Sequence, residues 1–236
     1  DVTVMPVIGE VTYARGTEDE PQSGLWSYFS HADEVARPGY YRTRLLRYGI
    51  DAELTATNRV GLHRYTFPTS DEAAVVIDLE NGGNRISYLY GIMNGTTNYI
   101  LSRMEAEGDR VVTGYRYSTG WAKDQKIYFA AEFSKPFTSF ELKGENNMYG
   151  RASFATTEGE ELLLKVAISP VSVENAKENL AAELPGWDFE ATAQAADAAW
   201  NDELGRVRIE TADSSARRIF YTALYHTMIA PFAYQD

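Results

Sequence analysis

From residue 1 to about residue 169, apolar positions recur along the chain with a period of two. Ile86, Tyr88, Tyr90 and Ile92 fall on one side of their segment, and Leu162, Leu164, Val166 and Ile168 on one side of theirs. Ala52, Leu54 and Ala56 alternate with Glu53, Thr55 and Thr57. Successive side chains of a strand point to opposite faces, so this alternation predicts antiparallel strands covered on one face. Turn chemistry separates them at Pro68–Asp71, Asn81–Asn84, Glu107–Asp109 and Glu158–Gly159. Asn94-Gly95 suits a tight hairpin because both residues tolerate positive φ. Roughly a dozen strands are expected, at the spacing of a sandwich or barrel. No helical crossover separates them, which argues against a parallel α/β sheet.

The period changes past Pro170. Residues 173–184 favour a helix, and Pro185-Gly186 interrupts it. Asp188 is placed to cap a second helix running to Leu204, whose apolar stripe is Phe189, Ala193, Ala196, Trp200 and Leu204. Gly205 suits the position just past its end. A short strand, Val207–Ile209, is expected next. Asp213 or Ser214 then caps a third helix ended by Pro231. The stripe of this helix, Ile219, Phe220, Ala223, Leu224 and Met228, is broad enough to predict deep burial. No sequence after it supplies the covering surface, so it reads as the opening of a larger helical domain. Asp1–Met5 already has the character of a strand, and both ends read as interior points of a longer polypeptide. The expected division is a sandwich domain over 1–169 with its start missing, a helical linker over 170–205, and the first strand and helix of a truncated second domain over 206–236.

Composition narrows the partners. The 236 residues are 44% hydrophobic and 24% charged, enough for a core and against global disorder. The net charge of -12 would repel nucleic acid and anionic membranes, so neither is an expected partner. No apolar run reaches the ~18 residues that membrane insertion needs. The chain has no cysteine, which removes disulfides, thiolate metal sites and cysteine nucleophiles.

Candidate chemistry is sparse. The three histidines, His31, His63 and His226, are too widely spaced to form a zinc motif. His63 shares strand parity with Tyr65 and Phe67 and reads as a core residue, while His226 sits in the last helix beside Tyr225. His31 lies in a loop flanked by carboxylates, between an aromatic stretch and Pro38-Gly39, and is the best functional candidate of the three. There is no G-x-S-x-G elbow, no phosphate loop and no EF-hand calcium loop. Trp200 belongs to a helix stripe. Trp26 and Trp121 fall in loops, where an indole needs something to pack on, either a neighbouring domain or a ligand such as a sugar ring.

At these loops the chain resembles the N-terminal part of the glycoside hydrolase family 92 α-mannosidases. The matching stretches are Phe29–Glu34 with Pro38–Tyr41, then YGIDAELTATNRVGLHRYTFP (48–68) and GYRYSTGWAKDQKIYFAAEFSKPF (114–137). PGWDFEATAQAADAAWNDELG (185–205) and RRIFYTALYHTMIAP (217–231) complete the set. The resemblance implies a mutarotase-like antiparallel supersandwich followed by the start of an (α/α)6 barrel. It also implies an inverting, calcium-dependent exo-α-mannosidase acting on mannose-containing glycans in the periplasm, at the cell surface or outside the cell. The barrel of such enzymes supplies the acid, the base and the calcium ligands, so no catalytic or metal residue is expected here. His31, Trp121 and Trp26 are the candidates for contact with the sugar and with the catalytic domain.

Two other readings stay open on the residues alone. One is a sandwich that binds carbohydrate without cleaving it. The other is an aldose epimerase-like enzyme, which would need an acid and a base within one domain, such as His31 with Glu34 or His63 with a cross-strand carboxylate.

Overall fold

The computed structural model describes residues 2–14, 16, 17, 19, 20, 22–80, 98–119, 123–144 and 148–229. The alternating segments form two antiparallel sheets. The smaller contains β1 (Thr3–Ile8), β6 (Ser70–Asp78), β11 (Tyr149–Thr156) and β10 (Ser139–Lys143), in the order β1-β6-β11-β10. The larger adds β2 (Val35–Arg37), β3 (Tyr40–Leu45), β4 (Ile50–Ala56) and β5 (Val60–Phe67) to β7 (Asn98–Glu107), β8 (Val111–Thr119), β9 (Gln125–Phe133) and β12 (Glu160–Ser169). Its order is β2-β3-β4-β5-β12-β9-β8-β7, two meanders joined through β12. The expected alternations at 86–92 and the hairpin at Asn94-Gly95 lie outside the described residues.

The main core lies between the sheets. Ala73, Val75, Ile77, Ala152 and Phe154 of the small sheet meet Tyr65, Phe67, Phe129, Phe133, Leu162 and Leu164 of the large one, all at most 2% exposed. The β12 alternation is realised as expected, with Leu162 and Leu164 fully buried, but Ile168 at the sheet's end is 45% exposed.

The opposite face of the large sheet is covered by helices. α1 (Val173–Glu183) is capped by Ser172, whose side chain accepts from the Asn175 amide at 3.0 Å. α2 (Phe189–Leu204) is capped by Asp188, which accepts from the Ala191 amide at 2.9 Å. These caps satisfy amides that the first helical turn leaves open. Leu184, Phe189 and Ala193 close a second core over Val60, Leu62 and Ala167. At Gly39 (φ 78°) a Cβ would come within 2.8 Å of the Ala196 Cβ, so only glycine lets the β2–β3 turn approach α2 this closely.

Gly205 lies just past the end of α2 as expected, in right-handed geometry (φ -70°) with its amide donating to Asn201 O. One sequence expectation beyond α2 fails. Residues 207–209 form no strand; Val207 instead gives its carbonyl to the Tyr221 hydroxyl at 3.1 Å. The third helix, α3 (Ser214–Met228), is capped by Asp213 as expected but has no buried residue, and Ile219 is 69% exposed. Trp200 leaves the sheet and meets Tyr225 of α3 edge-on, with ring centres 4.8 Å apart. Among the described residues no helix is long and apolar enough to cross a membrane.

Candidate functional site

Residues 22–34, the later part of the connection from β1 to β2, carry two of the three candidate side chains. At Gly24 (φ 53°) the loop folds back against Ala14 and Gly16. A Cβ there would lie 2.3 Å from the Gly16 nitrogen, so two glycines make the crossing possible. Trp26, two residues on, is half-buried, with its ring 5.6 Å from that of Tyr28. Tyr28 and Phe29 are 42% and 41% exposed. The result is an aromatic strip at the surface, a costly arrangement unless a partner or ligand uses it.

His31 sits on the turn that ends this strip. Phe29 stands edge-on to its ring at 5.2 Å. Its Nδ1 lies 2.7 Å from Glu34 Oε2, and the other Glu34 oxygen accepts from the Tyr41 hydroxyl at 2.8 Å. The hydrogen bonds from His31 and then Tyr41 hold the Glu34 carboxyl below the usual carboxylate range. Burial, followed by the bond to Glu34, pushes the Tyr41 phenol up to about 12. Glu34 is therefore a fixed anion that orients the imidazole, and an anion held ionised is poorly suited to donate a proton. His31 itself is 82% exposed along its side chain, which leaves its other ring edge toward solvent.

Two clefts border this region. One, about 310 Å³, is lined by Asp33, Val35, Arg42, Arg44 and Asp51, among others. In it Asp51 lies between Arg44 at 3.3 Å and Arg42 at 3.8 Å. The other, about 370 Å³, lies between the large sheet and α2. There Arg64 Nε donates to Glu53 at 2.8 Å, Tyr40 donates to the same carboxylate at 2.6 Å, and the guanidinium lies 4.3 Å from the Phe189 ring centre. Burial alone would raise Glu53, but Arg64 and Tyr40 outweigh it and keep the carboxyl low. This cluster clamps a helix to a sheet and has no uncommitted acid or base.

Trp26 and His31 thus share one loop but belong to separate ring pairs, and Trp121 lies outside the described residues. The His63 alternative loses its chemistry: its cross-strand neighbours are Leu54 and Leu164, its Nδ1 is 2.7 Å from the Tyr65 hydroxyl, and among the described residues no carboxylate pairs with it. Sequence reasoning found the His31–Glu34 pair through its spacing. It missed Tyr41, which reaches Glu34 only because β2 and β3 pair.

Two family models match the chain. The one described as "Glycosyl hydrolase family 92 N-terminal domain" matches residues 1–169, and that described as "Glycosyl hydrolase family 92 catalytic domain" matches residues 175–236. The solved structure of a family 92 alpha-mannosidase from Bacteroides thetaiotaomicron superimposes with a TM-score of 0.85 at 32% identity, covering 100% of this chain and 32% of that one. A family 92 inverting mannosidase from the same organism gives 0.77 at 27% identity, covering 98% and 30%. An uncharacterized secreted glycosidase of Arthroderma benhamiae is 27% identical over 86% of this chain and 29% of its own length. The chain thus spans about a third of the length of these relatives. A stretch of 35 residues is also 66% identical to a homoserine dehydrogenase of Synechocystis, but it covers only 14% of the chain, too little to transfer a fold or an activity.

Proposed function

Because the chain belongs to glycosyl hydrolase family 92, we propose that it is the N-terminal portion of an inverting exo-α-mannosidase acting on the α-mannosides of glycans. The observation that carries this reading is the likeness, over the whole chain at 32% identity, to an alpha-mannosidase of that family. In this reading residues 1–169 are the sandwich domain, 170–205 a helical linker, and 206–236 the opening of the catalytic helical domain. The related secreted glycosidase supports action outside the cytoplasm, in the periplasm, at the cell surface or as a secreted enzyme.

Inversion requires one carboxylic acid to protonate the leaving oxygen and one carboxylate to activate water on the other face of the sugar. Glu34, the carboxylate nearest the candidate loop, is committed to His31 and Tyr41 and is assigned neither role. Both roles are assigned to the helical domain beyond residue 236. What this chain contributes is recognition and the domain interface. Trp26 offers a ring face to a pyranose, His31 offers a nitrogen oriented by Glu34 to a sugar hydroxyl, and Trp121 is assigned the same kind of contact.

The family implies calcium. Among the described residues no three His, Asp or Glu side chains are grouped to hold a metal ion, so they do not fit a calcium site. Calcium ligands are therefore assigned to the rest of the helical domain, and no step here passes through the metal.

The test uses the full-length enzyme with His31→Ala, Trp26→Ala and Trp121→Ala, assayed on an α-mannoside alongside thermal unfolding. Loss of kcat/KM with an unchanged unfolding midpoint supports the recognition role. Normal kcat/KM in all three makes these loops structural. Absence of α-mannosidase activity in the parent enzyme overturns the whole reading.

A further inference from the structure

Arg47 lies in the turn between β3 and β4, across from the aromatic loop. Its Nη1 donates to the carbonyls of Ser23 at 2.9 Å, Gly24 at 2.8 Å and Trp26 at 2.9 Å. Its Nη2 donates to the carbonyl of Gln22 at 2.7 Å. The backbone on either side of Arg47 follows the same loop, with the Leu46 amide on Tyr28 O at 3.1 Å and the Arg47 amide on Ser27 Oγ at 3.3 Å. Among the described residues no carboxylate pairs with the guanidinium; its charge is met by carbonyl dipoles. Carbonyls of neighbouring residues ordinarily point apart. Here they converge because the chain reverses at Gly24, and convergence of four oxygens without a cation between them would be repulsive.

We propose that Arg47 is the positioning residue for the sugar contact made by Trp26: it fixes the backbone of residues 22–26 and so the attitude of the indole. This inference rests on the reading of Trp26 as a substrate contact. Lysine cannot replace the group. One ammonium places its three hydrogens around a single nitrogen, whereas these four carbonyls are shared between two nitrogens of a planar fork. Nη1 has two hydrogens for three carbonyls, so at least one is shared, an arrangement that tolerates little movement of the loop.

The experiment uses the full-length enzyme in four forms: parent, Arg47→Met, Trp26→Phe and the double variant, with Arg47→Lys as the milder change should Arg47→Met fail to fold. The Trp26 emission and its quenching by acrylamide are obtained by subtracting the signal of the Trp26→Phe form in each background. The expected result is a red-shifted, more quenchable Trp26 in the Arg47→Met or Arg47→Lys background. A loss of kcat/KM of about tenfold or more should accompany it, carried mainly by KM, as follows from displacing a substrate-positioning group. The double variant should lose no more than the worse single variant, because both changes act through one side chain. An unchanged Trp26 signal overturns the proposal whatever the kinetics. Additive losses overturn it too, by showing that Arg47 acts elsewhere. If Trp26→Phe leaves kcat/KM unchanged while the Trp26 signal still follows Arg47, the anchoring stands and the substrate contact is the part that falls.

Discussion

The Lys165 ammonium lies 3.9 Å from the centre of the Trp187 ring. Lys165 projects from β12 toward the helices, is 2% exposed, and has Glu132 Oε2 at 3.6 Å. Trp187 belongs to the segment between α1 and α2, so this contact holds that segment on the sheet. Burial pulls the lysine pKa below its ordinary value, and Glu132 restores only part of it. A lysine whose folded pKa is depressed disfavours folding while it is charged. Stability from this group should therefore rise as pH climbs from the lowered folded value toward 10.5. Lys165→Met should remove that rise and change stability by no more than about 1 kcal/mol at neutral pH, because a buried ion pair is offset by its desolvation. Urea unfolding of both forms at neutral and alkaline pH checks this, and an unaltered pH slope in the variant refutes it.

His63 gives a pH signature of the same sign in the acid range. Burial holds its pKa at about 4, so it is neutral at neutral pH and accepts or donates a single bond with Tyr65. Unfolding releases it to its ordinary value of 6.5. Stability should fall as pH drops from 6.5 toward 4, by at most about 3 kcal/mol and less to the extent that water reaches the ring. His63→Gln should flatten that part of the profile in denaturant titrations. A slope equal to the parent's would assign the effect to the carboxylates instead.

Arg64 joins β5 to α2 through Glu53, Glu190 and the face of Phe189. Arg64 and Glu53 are 14% and 15% exposed along their side chains, whereas Glu190 is 63% exposed. Removing the shared cation with Arg64→Met should cost about 2–4 kcal/mol, since it leaves Glu53 poorly compensated. Glu190→Ala should cost no more than about 0.5 kcal/mol, as for an exposed pair. Unfolding midpoints separate the two, and equal costs would contradict the division of labour.

α3 should make the 236-residue chain self-associate. Ile219 is 69% exposed, and α3 buries none of its residues. Unpartnered apolar surface of this kind drives association. Ile219→Asp should lower the apparent mass in light scattering at raised concentration. A parent chain that stays monomeric would contradict the assignment of this face as one that packs against other polypeptide.

The β-sandwich was legible because its strands alternate cleanly and its helices announce themselves by caps. Asp188 and Asp213 each accept the amides expected of them. Errors arose where pattern competes with context. Val207–Ile209 has strand-like residues but joins neither sheet, Val207 giving its carbonyl to the Tyr221 hydroxyl instead. The His31–Glu34 pair could be read from its local spacing. Tyr41, Arg47 and Gly24 could not, because their roles arise only when β3, the following turn and the 22–26 loop meet in space.

The strand order has a kinetic corollary. β12 pairs with β5 on one side and β9 on the other, so the two meanders of the large sheet have no shared hydrogen bonds until the last strand arrives. Pairing across such a separation must first meet the entropy of closing a long loop. During synthesis, residues 35–67 therefore wait as a half-sheet with an open edge until residue 169 emerges, and this interval is when a nascent chain of this topology is most exposed to mispairing and most dependent on chaperones.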